Sequence, residues 1–327
     1  MNEKQKDLIQ KFAALGSLML LALVFSLTSD AFFTVGNSLN VALQVTSIAL
    51  LGVGATYVII TGGIDLSVGS VLALSGVLAA LVVKAGFPVA VGMVCGVLAG
   101  AACGLCNGLL VTRLKLPPFI ATLGMMLVAR GVALQITGAR PVSGLPESFG
   151  SLGNGSWLRI VKDTGDTFPD VVFPGIPLPV LLMIALSIVA SVTLSRTSFG
   201  RHIYAVGSNS EAARLSGVRV NSVTLWTYVI SGLLAGLTGC VLMSRLVTAQ
   251  PNEGVMYELD AIASAVIGGT SLIGGVGTIS GTLIGSFVIG ILRNGLNMNG
   301  VSSFIQQIII GLVILLTVWI DRKRNSR

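Results

Sequence analysis

The chain has 327 residues, of which 53% are hydrophobic and only 10% charged, and its mean hydropathy is +0.91. Soluble domains carry about 25% charged residues, so this composition excludes a soluble globular protein and specifies an integral membrane one. The net charge of +7 is accounted for by lysine and arginine at helix ends, which set topology, and nucleic-acid binding is not expected.

Ten apolar segments follow one another: Phe12–Thr28, Leu39–Ile60, Val68–Val83, Pro88–Val111, Phe119–Thr137, Leu178–Leu194, Val223–Met243, Leu259–Ile273, Ile279–Leu292 and Phe304–Ile320. They predict an all-α membrane protein of about ten transmembrane helices, with 1–327 as a single transmembrane domain. Ten crossings put both termini on one side. With that side cytoplasmic, 13 of the 20 basic residues fall in inner segments, among them Arg113, Lys115, Arg196, Arg201, Arg214, Arg219 and the termini. Only Lys84, Arg140, Arg159 and Lys162 fall outside, in the sense that the positive-inside bias requires. The outer loops carry acids instead: Asp30, Glu147, Asp163, Asp166, Asp170, Glu253 and Glu258.

Three segments, Val68–Val83, Leu259–Ile273 and Ile279–Leu292, are short for a bilayer that asks for about 20 residues. They adjoin the glycine breaks Thr61-Gly62-Gly63 and Gly268-Gly269 through Gly277. Interrupted helices at membrane depth are tolerated against protein or a watery cavity, so these segments are expected to line a central path. The 41 glycines predict closely approaching helices. Cys95, Cys103, Cys106 and Cys240 all lie in apolar runs and read as small packing residues, with no disulfide or metal site implied.

Two polar stretches interrupt the pattern. The first, Gly138 to Pro177, is rich in proline and glycine and is expected to be a loop on the outer side. The second, Ser195 to Ser222, is basic and expected inside. Within it Ser208-Asn209-Ser210-Glu211 has the form of a capping box with Ser208 as cap and Glu211 at the third helical position, and Gly217 sits where a helix would end. A helix over Ser208–Ser216 is too short to be stable alone, so it should dock on a partner. Ala212 and Ala213 would allow close approach to a groove, Leu215 would supply apolar contact, and Arg214 is free to reach an acidic rim.

Within and beside the spans, the candidate path or gate residues are Asp65, Asn107, Arg130, Gln135 and Asp260. Asp65 and Asp260 read first as helix N-caps at opposite faces, with a path or gate role as the alternative. Arg130 is an intramembrane arginine and so a functional candidate by default. Asn107 and Gln135, with Gln44 and Gln306, could hydrogen-bond a solute hydroxyl or another helix. The sequence holds no P-loop motif, its one histidine, His202, has no companions for a metal site, and no nucleophile–base–acid set assembles. Enzyme chemistry is not expected. A self-sufficient secondary transporter or channel would want ionisable groups in mid-span, and the two aspartates fall at span ends.

Four runs carry a resemblance: Thr61-Gly62-Gly63-Ile64-Asp65-Leu66-Ser67-Val68-Gly69-Ser70; Pro118 to Met126; Gly207-Ser208-Asn209-Ser210-Glu211-Ala212-Ala213-Arg214-Leu215-Ser216-Gly217; and Tyr257 to Ala263 with Gly268 to Leu272. Together they resemble the ribose-type permease subunits of bacterial ATP-binding-cassette sugar importers, from the first helix to the tail. The resemblance implies a transport subunit of the inner membrane whose Gly207–Gly217 segment seats on an ATPase subunit. It also implies a second permease chain, identical or related, and a periplasmic sugar-binding protein. ATP and Mg would be bound by the ATPase, and this chain would hold no cofactor. The solute would be a pentose, a hexose, a nucleoside or another hydroxylated molecule. The segment Val161–Pro177 departs from the runs typical of that family.

Overall fold

The computed structural model describes residues 3–162 and 170–325. The side chains of Lys4, Lys6, Lys11, Asp163, Asp166, Asp170, Arg322, Lys323, Arg324 and Arg327 lie outside what is described. The helices in chain order are α1 (Glu3–Thr28), α2 (Val35–Ile60), α3 (Val68–Lys84), α4 (Val89–Thr112), α5 (Pro118–Thr137), α6 (Ser151–Asn154), α7 (Leu178–Arg196), α8 (Ser198–Ser208), α9 (Ser210–Leu215), α10 (Val220–Leu246), α11 (Tyr257–Ile267), α12 (Ile279–Met298) and α13 (Ser303–Asn325). Each of the ten expected segments is a helix. Among the described residues, six helices, α2, α4, α5, α7, α10 and α12, are long and apolar enough to cross a membrane.

Two segment boundaries need correction. The helix beginning at Ile279 runs on to Met298 and is 20 residues long, so it is not short. The segment expected over Leu259–Ile273 stops at Ile267 after 11 residues, because Gly269 takes a φ of +92° and turns the chain out of the helix.

The core is built from α2, α3, α4, α10, α11 and α12. The apolar window of α2 is 89% buried and that of α4 only 22%, so α2 is central and α4 peripheral. The face that α4 does bury is a glycine row, Gly92, Gly96, Gly100, Gly104 and Gly108. The four-residue repeat puts this row on one side of the helix. A Cβ at Gly100 would overlap the Gly232 carbonyl oxygen of α10 and come within 2.6 Å of Gly236 Cα, so the backbones meet without intervening side chains, the contact small residues make possible in membrane bundles.

The stretch between α5 and α7 departs from an all-helical description. It contains a 3-10 turn (Glu147–Gly150), α6, and strands β1 (Ser156–Trp157), β2 (Ile160–Lys162), β3 (Asp170–Phe173) and β4 (Ile176–Pro177), paired β1 with β4 and β2 with β3. It is held against the C-terminal end of α10: Gly153 N donates to Ser244 Oγ at 2.8 Å, Asn154 Nδ2 to Arg245 O at 3.0 Å, and Val142 pairs with Ala249. The bundle's opposite end carries α8, α9, the α4–α5 turn with Lys115 bonded to Asn221 at 3.2 Å, and both glycine breaks. The two polar stretches therefore lie at opposite ends of the molecule.

Candidate functional site

At the α8 end, the polar island folds as two helices rather than one. Thr197 caps α8, its hydroxyl accepting from Gly200 N at 3.2 Å. Gly200, Ile203 and Val206 turn inward, while Arg201 and His202 are exposed. Ser208 is the last residue of α8, and the cap of α9 is Asn209, whose Oδ1 accepts from Glu211 N at 3.1 Å and Ala212 N at 2.9 Å. The expected capping box is therefore displaced by one residue. Glu211 falls at the second helical position, one short of the geometry that reaches back to the cap. It pairs instead with Arg214, Nε to Oε2 at 3.2 Å, and that hydrogen bond holds the Glu211 carboxyl below its usual range. Arg214 is accordingly paired and not free, though both side chains remain exposed.

Helix α9 ends as a Schellman motif: Gly217, at φ +86°, donates to Arg214 O at 3.0 Å, and Val218 N donates to Ala213 O at 3.0 Å. The placement of Ala213 differs from expectation. It is buried, packed in this chain's own core with Val206 and Val218, and offers nothing to a partner. The outward face consists of Ala212, Arg214 and Leu215. Leu215 is 78% exposed, an apolar side chain three residues from Ala212 and so on the same helix face.

Behind this surface, α8 touches both glycine breaks. Tyr204 Oη donates to Gly277 O at 2.7 Å. Gly275 N donates to Ile60 O at 2.8 Å. A Cβ at Gly207 would overlap the Ile60 carbonyl oxygen and stand 2.6 Å from Gly275 N. Neither Tyr204 nor Ile60 is singled out by sequence, since nothing in local spacing says which distant backbone a helix will meet.

Inside the bundle, Asp65 is buried and is not a helix cap. It accepts from Ser67 N at 3.0 Å and Ser67 Oγ at 2.6 Å, and from Ser231 Oγ at 2.9 Å. Asn107 Nδ2 donates to Ser67 Oγ at 2.9 Å. Ser231 lies near the middle of α10, so Asp65 sits within the bundle and not at its rim. The chain doubles back at Gly62 (φ +80°), which carries the carboxylate inward. The cluster ties the α2–α3 break to α4 and α10. Asp65→Ala leaves up to three buried donors without an acceptor, at about 1–3 kcal/mol each. The detergent-solubilised variant is expected to melt well below the parent, and Asp65→Asn, which keeps one acceptor, to lie between. An unshifted Asp65→Ala melting curve would show that the cluster does not hold the break.

Asp260 is likewise not a cap. Helix α11 begins after Met256, and Asp260, in its first turn, receives Arg293 Nη2 of α12 at 2.8 and 2.7 Å. Arg293 is not among the residues that the sequence singles out, since nothing in local spacing says that α12 will bring it to a carboxylate on α11. Arg130 reaches the loop after α10, where Nη1 donates to Pro251 O at 2.5 Å and Glu253 O at 2.8 Å. It thus ties α5 to the end of the bundle remote from α8 and α9. Gln135 is exposed on α5 and joins none of these groups. Gln306 donates to Val301 O at 2.8 Å, in the turn that precedes α13.

An all-α bundle with interrupted helices, an internal ion pair and a short helix presented at one end is the architecture of a membrane transport subunit. Residues 37–318 match the family described as branched-chain amino acid transport system, permease component, and the chain belongs to that family. It is a multi-pass membrane protein. It is 43% identical to the ribose import permease protein of Bacillus subtilis (strain 168) over 97% of this chain and 94% of that one. To the protein of the same name in Escherichia coli (strain K12) it is 43% identical, over 97% of this chain and 95% of the relative. With the xylose transport system permease protein of E. coli K12 it shares 35% identity over 98% of this chain and 93% of the relative. No solved structure matches it.

Proposed function

We propose that this chain is the membrane-spanning subunit of an ATP-binding-cassette importer that moves a monosaccharide, a ribose-like pentose or a hexose, across the bacterial inner membrane. The near full-length likeness to ribose import permease proteins carries this reading. Residues 1–327 act as one membrane domain with both termini in the cytoplasm. The partner ATPase binds ATP and Mg and hydrolyses the nucleotide. It docks on α8 and α9 through Asn209, Ala212, Arg214 and Leu215, where an exposed apolar side chain stands among polar ones at the end of the bundle. A second permease chain and a periplasmic sugar-binding protein complete the assembly, the latter meeting the 138–177 loop at the opposite end.

Sidedness is tested in a chain freed of its four cysteines. Single cysteines at Asn154 and Ser216 are expected to react with an impermeant thiol reagent from opposite faces, Asn154 from outside. Reaction of both from one face would overturn the orientation. Reconstituted with its ATPase and binding protein, the chain is expected to take up D-ribose or D-xylose only when ATP is supplied. Saturable uptake by the chain alone under an ion gradient would instead identify a secondary transporter.

A further inference from the structure

Nothing of opposite charge meets Asp65. Among the described residues the ion pairs are Glu211–Arg214 and Asp260–Arg293. The hydrogen bonds to Asp65 come from uncharged donors, Ser67 N, Ser67 Oγ and Ser231 Oγ. Asp65 is 3% exposed and lies beside the middle of α10, so neither bulk water nor a lipid headgroup serves it. A charge buried in a bundle is paired, neutralised or shared with a bound ion, because taking it out of water uncompensated costs too much.

A second side chain at the same place lacks a partner. Asn107 of α4 is 1% exposed. Its Nδ2 donates to Ser67 Oγ at 2.9 Å, and Ser67 Oγ donates in turn to Asp65 Oδ1 at 2.6 Å. These bonds fix the Asn107 amide at the cluster, yet its Oδ1 is buried with no hydrogen-bond donor. Turning the amide over would not supply one. The Ser67 proton is already given to Asp65, so oxygen would face oxygen. Acceptors therefore outnumber donors here. A carboxylate offers about four lone-pair sites, and only three donors reach Asp65. The surplus is lone pairs and one negative charge, which is what a bound cation would balance.

The oxygens restrict the ion. All are hard ligands: a carboxylate, an amide carbonyl and two hydroxyls. Transition metals are selected by thiolate and imidazole, and among the described residues no group of three His, Cys, Asp or Glu could hold a metal. Calcium takes about 6–8 oxygen ligands, and magnesium keeps several waters. One carboxylate in a buried cluster provides neither. A single negative charge balances a single positive one. The oxygens are close-set, with Asp65 Oδ1 2.6 Å from Ser67 Oγ and Oδ2 2.9 Å from Ser231 Oγ, which favours sodium over the larger potassium. They also come from three places: Asp65 and Ser67 from the stretch between α2 and α3, Asn107 from α4, and Ser231 from α10. An ion held by all of them would lock the break to both helices.

We propose that Asp65, Ser67, Asn107 and Ser231 bind one monovalent cation, sodium, as a resident ion that fixes the break between α2 and α3 to α4 and α10. The site is independent of the solute transported and of the ATPase, and so is its test. The full chain is melted in detergent in sodium, potassium or choline chloride at equal ionic strength. Sodium is expected to raise the melting temperature over choline by about 3 °C or more, saturably, and potassium to raise it less. Radioactive sodium is expected to bind at one ion per chain. In Asp65→Asn the difference between sodium and choline is expected to vanish, whatever that variant's own melting temperature. Ser231→Ala, a milder change, is expected to need about tenfold more sodium for half-saturation. Where Asp65→Asn yields no folded protein, Ser231→Ala and sodium binding to the parent carry the test. A sodium response that survives Asp65→Asn, or one equal in all three salts, would overturn the site. Stronger stabilisation by potassium would overturn the choice of ion. A melting temperature that rises on acidification and ignores sodium would put a proton on Asp65 instead. Indifference to both would leave the cluster to hydrogen bonds and water. Either result would overturn the proposal.

Discussion

Replacing Gly207 with alanine is expected to abolish transport and lower the stability of the solubilised chain. The new methyl group would overlap the carbonyl oxygen of Ile60 and press on Gly275 N from 2.6 Å. Both neighbours are backbone, and they are hydrogen-bonded to each other at 2.8 Å, so neither can turn aside as a flexible side chain could. Overpacking of this kind costs about 1–3 kcal/mol and sometimes more. Relief requires α8 to lift from the two glycine breaks, which also stretches the bond from Tyr204 to Gly277. Uptake and a melting curve in detergent are the two readouts. A Gly207→Ala protein with parental uptake and an unshifted melting temperature would show that the contact between α8 and the breaks can loosen without consequence. Tyr204→Phe is the milder companion, removing one hydrogen bond worth about 1 kcal/mol with no added bulk.

The second large effect is expected at Leu215. Its side chain is 78% exposed on a helix of six residues, and no packing within the chain explains a leucine there. If α9 seats on the ATPase, burying a leucine contributes about 1.5–3 kcal/mol. Each 1.4 kcal/mol is tenfold in affinity, so Leu215→Asp should weaken ATPase binding at least tenfold and by more once the buried charge is counted. Because the native side chain touches solvent, membrane insertion and melting temperature should stay at parental values. Co-purification of the ATPase with Leu215→Asp at parental yield would remove this face from the interface. Ala213 is the wrong probe for docking. It is buried with Val206 and Val218, so a bulky residue there would dislodge α9 from its own chain and confuse folding with binding.

Much of the architecture was readable without coordinates. Long apolar runs have nowhere to go but a bilayer, and their ends are marked by glycine, proline and charge; each of the ten runs is a helix in the structure. Glycine spacing along α4 is also a local property, and its four-residue repeat announces a close helix contact before the other helix is known. The turn at Gly217 follows from backbone sterics alone, because a position with φ of +86° is open to glycine at little cost. The family resemblance depended on short runs of this same kind. What local pattern could not supply were partners and depth. Asp65 looked like a cap beside a helix start, and Asp260 likewise. The fold turns the first inward onto Ser67 and Ser231 and pairs the second with Arg293. The cap of α9 moved from Ser208 to Asn209 because α8, invisible as a separate helix among polar residues, runs on through Ser208. Ala213 changed sides for a similar reason: a six-residue helix has too few residues for its inward face to be read by period. Contacts between residues tens or hundreds apart depend on how the helices pack, and only the tertiary structure brings Asp65, Ser67, Asn107 and Ser231 to one place.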